Sequence, residues 1–213
     1  MKNVLITGAN GGIGGSIEKK LTEAGFNVIG ITQKDADLSK KEAIDALKVG
    51  ILSSVSQIDW IICAHGFIDT EQVLEKQTEE NIEATFRLNT LSIVYLAQAL
   101  LEKVPEGGGM IAISSSAGVR PSGRLAVYSA SKAAVNSFMQ ALAMNRPSQK
   151  FFSLCPGPTN TQMRERIAGD AAQMQSPDVI ADVVVELVNG ASTYNSGNVI
   201  LVKDGVSSIV STL

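Results

Sequence analysis

Long hydrophobic runs are missing from this 213-residue chain: none approaches the roughly 20 consecutive apolar residues of a membrane-spanning helix. The opening segment, MKNVLITGAN, is too short an apolar stretch for a secretory signal. Cysteine is scarce. Cys63 and Cys155 are the only two, which speaks against a disulfide framework and fits buried thiols in a reducing compartment. An excess of one charge is lacking as well. Lys+Arg number 18 against 21 Asp+Glu, so the net charge is −3 and the pI about 5.3. Nothing in that balance attracts nucleic acid or an anionic membrane. There is one histidine, and no internal repeat, low-complexity segment or interdomain linker; PEGGG at 105–109 reads as a loop. The expectation is one domain over residues 1–213, in the cytoplasm, with no metal, nucleic-acid or membrane partner.

What is present is apolar residue in short, regular doses. Apolar residues make up 45% of the chain and charged residues 18%, enough for a sizeable core. Runs rich in Ile and Val recur at 3–7, 27–32, 58–63, 110–114, 151–155 and 198–202. They are mostly continuous rather than alternating, the pattern of strands buried on both faces of a parallel sheet. Longer segments with helical patterning separate them, which predicts an α/β fold of βαβ units. Ser39 with Glu42 predicts a capping box for a helix over about 40–55. Ser176-Pro177 predicts the start of a helix over about 177–189. Two helices, 91–101 and 132–144, are apolar or small around most of their circumference. Such helices are expected to cover the sheet with one face and a second subunit with the other, giving a homodimer or homotetramer.

Two stretches carry chemistry. TGANGGIG, Thr7 to Gly14, follows the first strand and opens a helix. Its glycines permit a tight turn and close approach of a phosphate to the helix N-terminus. The spacing is neither G-x-G-x-x-G nor a Walker loop. YSASK, Tyr128 to Lys132, sets a phenol and an ammonium one helical turn apart among small residues. A phenol with a pKa near 10 is a poor proton donor-acceptor at neutral pH, and an adjacent cation is expected to lower that value.

Taken together, the motifs resemble the short-chain dehydrogenase/reductase family. Thr7-Gly8-x-x-x-Gly12-Ile13-Gly14 matches its glycine motif, with Asn10 inside it, and Tyr128-x-x-x-Lys132 matches its catalytic pair. Ser115, thirteen residues before Tyr128, stands where the family has its serine; Asn89 in RLNT and the run PGPTNT at 156–161 match two further motifs. The resemblance spans residues 4 to about 205. It implies a Rossmann-like, doubly wound parallel sheet in a three-layer α/β/α arrangement. It implies hydride transfer between a nicotinamide cofactor and a small carbonyl compound or its alcohol. Tyr128 would exchange the proton, Ser115 polarise the carbonyl, Lys132 lower the tyrosine pKa and bind ribose, and Asn89 hold Lys132 in place. Pro156, Gly157, Thr159 and Thr161 would lie along the cofactor.

The chain departs from the family in two places. Where the family has Asn-Asn-Ala-Gly, this sequence has Cys63-Ala64-His65-Gly66. Ala64, His65 and Gly66 are still expected at the cofactor, with His65 at the rim and able to titrate near neutrality. The segment between the second and third strands is truncated: a helix and most of a strand are missing. Asp37-Leu38 then match the pair that meets the adenine. At the end of the second strand, Thr32-Gln33-Lys34 offers a base and no acid, which favours NADP over NAD; Asp35 close by argues the other way. The segment 160–176 is expected to border the substrate. The altered Cys63–Gly66 run also leaves a second reading, a dinucleotide-binding regulatory protein without turnover.

Overall fold

The computed structural model describes residues 1–71, 73–168 and 174–212. Its strands are β1 (Asn3–Thr7), β2 (Asn27–Ile31), β3 (Trp60–Cys63), β4 (Gly109–Ile113), β5 (Lys150–Pro156), β6 (Val199–Lys203) and β7 (Val206–Ser211). The helices are α1 (Gly12–Glu23), α2 (Lys41–Ser54), α3 (Glu79–Phe86), α4 (Ser92–Leu100), α5 (Ala126–Asn145), α6 (Gln162–Ala168) and α7 (Pro177–Asn189). One sheet takes all seven strands in the order β2-β1-β3-β4-β5-β6-β7. Every pair is parallel except β6–β7.

Side chains alternate across the strands, and each face of the sheet meets its own helices. Val4, Ile6, Ile62, Ile111 and Leu154 pack with α1 and α7. Leu5, Ile61, Met110, Ala112 and Phe151 pack with α2, α4 and α5. The arrangement is the expected three-layer α/β/α sandwich. Both faces being covered explains why the strands read as continuous apolar runs.

One local expectation fails. The capping box at Ser39 does not form. The Ser39 hydroxyl donates to Asp37 Oδ1 (2.7 Å), and α2 starts after Lys40 with no side-chain cap. At α7 the cap does form, with Asp178 N–H donating to Ser176 Oγ. The strand β7 went unforeseen, although Asp204-Gly205 marks it. Their φ angles of 53° and 77° are those of a two-residue hairpin turn that Asp-Gly favours. Between β2 and β3 the chain has α2 alone, and among the described residues no strand flanks the outer side of β2. The truncation therefore leaves β2 as the sheet edge.

The outward faces of α4 and α5 are less bare than the sequence suggests. Val135 and Met139 of α5 point into the sheet-side core, and Tyr95, Phe138 and Leu142 are partly buried against it. Met144 and Leu91 are the large apolar residues here that stay exposed.

Candidate active site

The strand order switches sides at β1: β2 lies on one side of it and β3 on the other. In parallel α/β sheets the crevice at the carboxyl ends of such strands is where ligands bind. The glycine turn sits there. Gly8 and Ala9 N–H both donate to Ile31 O (2.8 and 3.2 Å), which ties the turn to the end of β2. Gly8 has φ +78°, and a Cβ on it would lie 2.6 Å from His65 N; a Cβ on Gly14 would lie 2.1 Å from Gly8 O. Neither position admits a side chain without moving backbone. The helix behind the turn, α1, has no side-chain cap and no acidic residue in its first turn. Its first N–H groups are open to an anion. Thr161 closes the other side, with its Cγ2 2.8 Å from where a Gly12 Cβ would stand. This cradle fits the pyrophosphate of a dinucleotide.

The four matched residues converge from three elements. Tyr128 and Lys132 stand one turn apart on α5, with Lys132 Nζ 5.9 Å from the Tyr128 ring centre. Lys132 is 3% exposed, and Nζ donates to Ile113 O at the end of β4 (2.9 Å). Asn89 occupies a widened, π-type turn, Arg87–Leu91, between α3 and α4. Such turns insert one extra residue and re-aim a side chain. Asn89 accepts from Phe67 N–H (2.7 Å) and donates to Phe67 O (2.8 Å) and Ser131 Oγ (3.0 Å), so it pins the loop after β3 to α5. Gly66 is the meeting point: a Cβ there would stand 3.3 Å from Asn89 Oδ1 and 3.5 Å from Lys132 Nζ.

The structure separates the three adjacent serines. Ser114 donates to Lys132 O (3.1 Å). Ser115 accepts from Ala117 N–H (3.1 Å), which leaves its own proton free to donate into the cleft. It lines, with Tyr128, a cleft of about 290 Å³ that also takes in Ile13, Pro156, Gly157, Thr159 and Thr161. Segment 160–176 contributes α6 to this border, including Met163 and Arg164; residues 169–173 lie outside the described ones.

The electrostatics differ from expectation. Burial holds the Tyr128 phenol above its ordinary pKa, and the opposing pulls come from the Ser115 hydroxyl and the Arg164 charge, not from Lys132. Lys132 is shifted as well. Burial presses its pKa down to about 8, and its one hydrogen bond to the described residues is spent on a carbonyl. His65 is corrected too. It is buried, not at the rim, with Nδ1 2.6 Å from Thr7 Oγ1 and Nε2 2.6 Å from Ser92 Oγ. Burial pushes its pKa down to about 3, so it stays neutral at physiological pH and bridges β1 to α4. Because the unfolded chain protonates first as pH falls, the stability from this group is complete above pH 6.5 and lost toward pH 3.

At the end of β2, Asp35 turns back on Thr32, its Oδ2 accepting from the Thr32 N–H (2.8 Å) and hydroxyl (2.7 Å). Those bonds hold its pKa below the usual carboxylate value. Gln33 and Lys34 are exposed, and Lys34 has no carboxylate partner among the described residues. Asp37 is engaged by Ser39 and, at 3.5 Å, by Lys40, while Leu38 is buried in the core. Asn10 stays exposed at the turn, and Ala64 N–H donates to Thr7 O.

Several residues at the site went unread in the sequence. Ser131 fixes Asn89, and Gly118 lets the loop after β4 lie against α5, its missing Cβ falling 2.9 Å from Lys132 Cβ. Arg120 and Arg164 line the cleft. Only tertiary folding brings them there, so no spacing rule marks them. Among the described residues there is no group of three or more His, Cys, Asp or Glu able to hold a metal, and no helix long and apolar enough to cross a membrane.

A doubly wound sheet with a glycine turn at its switch point defines a protein of the dinucleotide-binding fold type. More specifically, the chain belongs to the short-chain dehydrogenase family, whose model matches residues 31–172. It is 28% identical over 196 positions to a benzil reductase ((S)-benzoin forming) of Saccharomyces cerevisiae, covering 78% of this chain and 74% of that one. It is 27% identical over 253 positions to a diacetyl reductase [(S)-acetoin forming] of Staphylococcus epidermidis, covering 96% and 98%. Among solved structures, a 3-ketoacyl-(acyl-carrier-protein) reductase from Brucella melitensis complexed with NADH superposes with a TM-score of 0.89 at 21% identity, covering 96% and 97%. A short chain dehydrogenase from Burkholderia cenocepacia in complex with NADP superposes at 0.85 and 23%, covering 95% and 96%. These two share the fold. The protein is an enzyme of that family.

Proposed function

We propose that this enzyme, folded as one domain, reduces a small carbonyl compound to its alcohol with NADPH as the preferred cofactor. The observation that carries the reading is the Tyr128 phenol beside the Ser115 hydroxyl in one cleft, where a carbonyl oxygen can meet both. The relatives named for reducing benzil and diacetyl support the direction of reduction.

The bound cofactor supplies the hydride to the carbonyl carbon. The chain's residues do the rest. Ser115, its lone pair occupied by Ala117 N–H, donates to the carbonyl oxygen as charge gathers there. Tyr128 gives that oxygen its proton. Lys132, anchored by Ile113 O, has ammonium protons left to hold the ribose. Asn89 acts through Phe67 and Ser131 to keep Gly66 and α5 in place. Gly8, Gly12 and Gly14 with the α1 N-terminus hold the pyrophosphate, and Thr159 and Thr161 border it.

For NADP, the supporting feature is Lys34, free at the end of β2 to meet a 2′-phosphate. Asp35 supports NAD instead, since its Oδ1 is uncommitted and suits a ribose 2′-hydroxyl. Steady-state kinetics with both cofactors decide. Lys34→Ala is expected to lower the NADPH/NADH ratio of kcat/KM about tenfold, a loss of one charge-assisted contact. An unchanged ratio rejects the lysine, and a wild-type preference for NADH rejects NADP.

A homodimer or homotetramer is also proposed, built on α4 and α5, where Leu91 and Met144 remain exposed. Light scattering at micromolar concentration tests it; a monomer ends the proposal.

A further inference from the structure

Two arginines line the cleft that holds Tyr128 and Ser115, and among the described residues no aspartate or glutamate lines it with them. Arg164 lies on α6, and its Nε is buried with no hydrogen-bond partner among the described residues. Arg120 lies in the loop between β4 and α5, exposed at the mouth. Neither forms an ion pair among the described residues. A buried guanidinium N–H without an acceptor is costly, and two like charges facing one small cavity repel. Both costs vanish if the occupant carries an anion. The rest of the lining is neutral: hydroxyls of Ser115, Ser116, Ser122 and Thr159, and apolar Ile68 and Met163.

Resting on the reductase reading above, we propose that the substrate carries a carboxylate held by Arg164 and Arg120, so that the enzyme interconverts a small oxo acid and its hydroxy acid. Guanidinium groups match a carboxylate through paired N–H donors, and the contact strengthens where water is excluded. The volume of about 290 Å³ sits at the small end of ligand pockets and must also admit the nicotinamide ring. That leaves room for an acid of a few carbons. Position supports the assignment as well: the charge of Arg164 reaches the Tyr128 phenol, so an acid bound there would present its carbonyl close to the proton donor. In the reaction, hydride adds to the carbonyl carbon, the C=O π pair takes the Tyr128 proton, and the carboxylate is unchanged.

The test pairs 2-, 3- and 4-oxo acids of four to six carbons with their methyl esters, which keep the ketone and lose the charge. Initial rates with NADPH and NADH are measured for wild type, Arg164→Gln, Arg164→Lys and Arg120→Gln. Wild type is expected to favour at least one acid over its ester by about 30-fold or more in kcat/KM, the size of a charged hydrogen-bonded contact. Arg164→Gln is expected to collapse that preference through KM for the acid, and Arg164→Lys to restore part of it. Esters reduced as well as acids, or an Arg164→Gln defect in KM for the dinucleotide alone, overturn the carboxylate site and leave the reductase standing. A second readout is thermal stabilisation of the protein by each acid and ester without turnover. Acid-selective stabilisation that Arg164→Gln abolishes supports the site even if no compound is reduced, a result that would reject the reductase reading instead. No acid-selective effect in either readout rejects the site.

Discussion

Replacing Tyr128 by Phe is expected to lower kcat for carbonyl reduction about 1,000-fold while leaving the dinucleotide Kd within about threefold, the range that loss of a positioned proton donor commands. The split is the informative part. Tyr128 borders the cleft with Ser115, whereas the cradle for the pyrophosphate is the glycine turn and the start of α1. The phenyl ring keeps the packing on α5, so thermal stability should change little. Cofactor binding is read by fluorescence titration and turnover by the nicotinamide absorbance. Retention of most activity removes Tyr128 as the donor; a matching loss of cofactor affinity makes it a binding residue.

Lys132→Met should have opposite effects on activity and on stability. Activity is expected to fall about 1,000-fold or more, because Met cannot hold the ribose and so cannot position the nicotinamide for hydride transfer. Stability is expected to rise. Lys132 is 3% exposed, makes one hydrogen bond to the described residues, and has its pKa driven down by burial to about 8 from 10.5. A shift of that size corresponds to about 3 kcal/mol of unfavourable burial of the charged form. Ile113 O loses its partner, which returns about 1 kcal/mol of that gain. The net gain should raise Tm by about 4 °C for a chain of this length. The pH dependence follows from the sign. The unfolded lysine holds its proton up to about 10.5 and the folded one only to about 8, so wild-type stability rises across that window as the buried charge is shed. The variant's advantage is therefore full below pH 8 and shrinks toward pH 10.5. Calorimetry from pH 7 to 10 checks it, and a lower Tm at pH 7 shows instead that the ammonium stabilises the folded chain.

These two residues also show how far a linear reading reaches. Tyr128 and Lys132 stand four apart on one helix, so their adjacency follows from helical pitch alone. The glycine turn is local in part: a Cβ on Gly14 would strike Gly8 O within the turn, whereas a Cβ on Gly8 would strike His65 from across the fold. Six strands were readable for a different reason. Burial on both faces turns most of them into unbroken apolar runs, and that mark survives in sequence; β2, at the sheet edge, is only partly buried. The seventh strand, β7, is antiparallel at the sheet edge with exposed Val206 and Ile209, so it carries no such run.

Charge state was not readable, because it depends on what the fold wraps around a group. His65 looked like a titrating residue at the rim; Thr7 and Ser92, from β1 and α4, enclose it and keep it neutral. Lys132 was expected to pull the Tyr128 pKa down, but burial raises the phenol and weakens the lysine together.

By itself, then, the amino-acid sequence determined the layered sheet, the glycine turn and the Tyr128–Lys132 pair, since each arises from contacts between near neighbours or from a burial pattern repeated along a strand. Tertiary structure alone decided what Ser114 and Ser115 hydrogen-bond to, how Asn89 is held, and that Arg120 and Arg164 share one cavity. Those contacts join residues far apart in the chain, and solvent exclusion, which sets their electrostatics, exists only once the layers have closed.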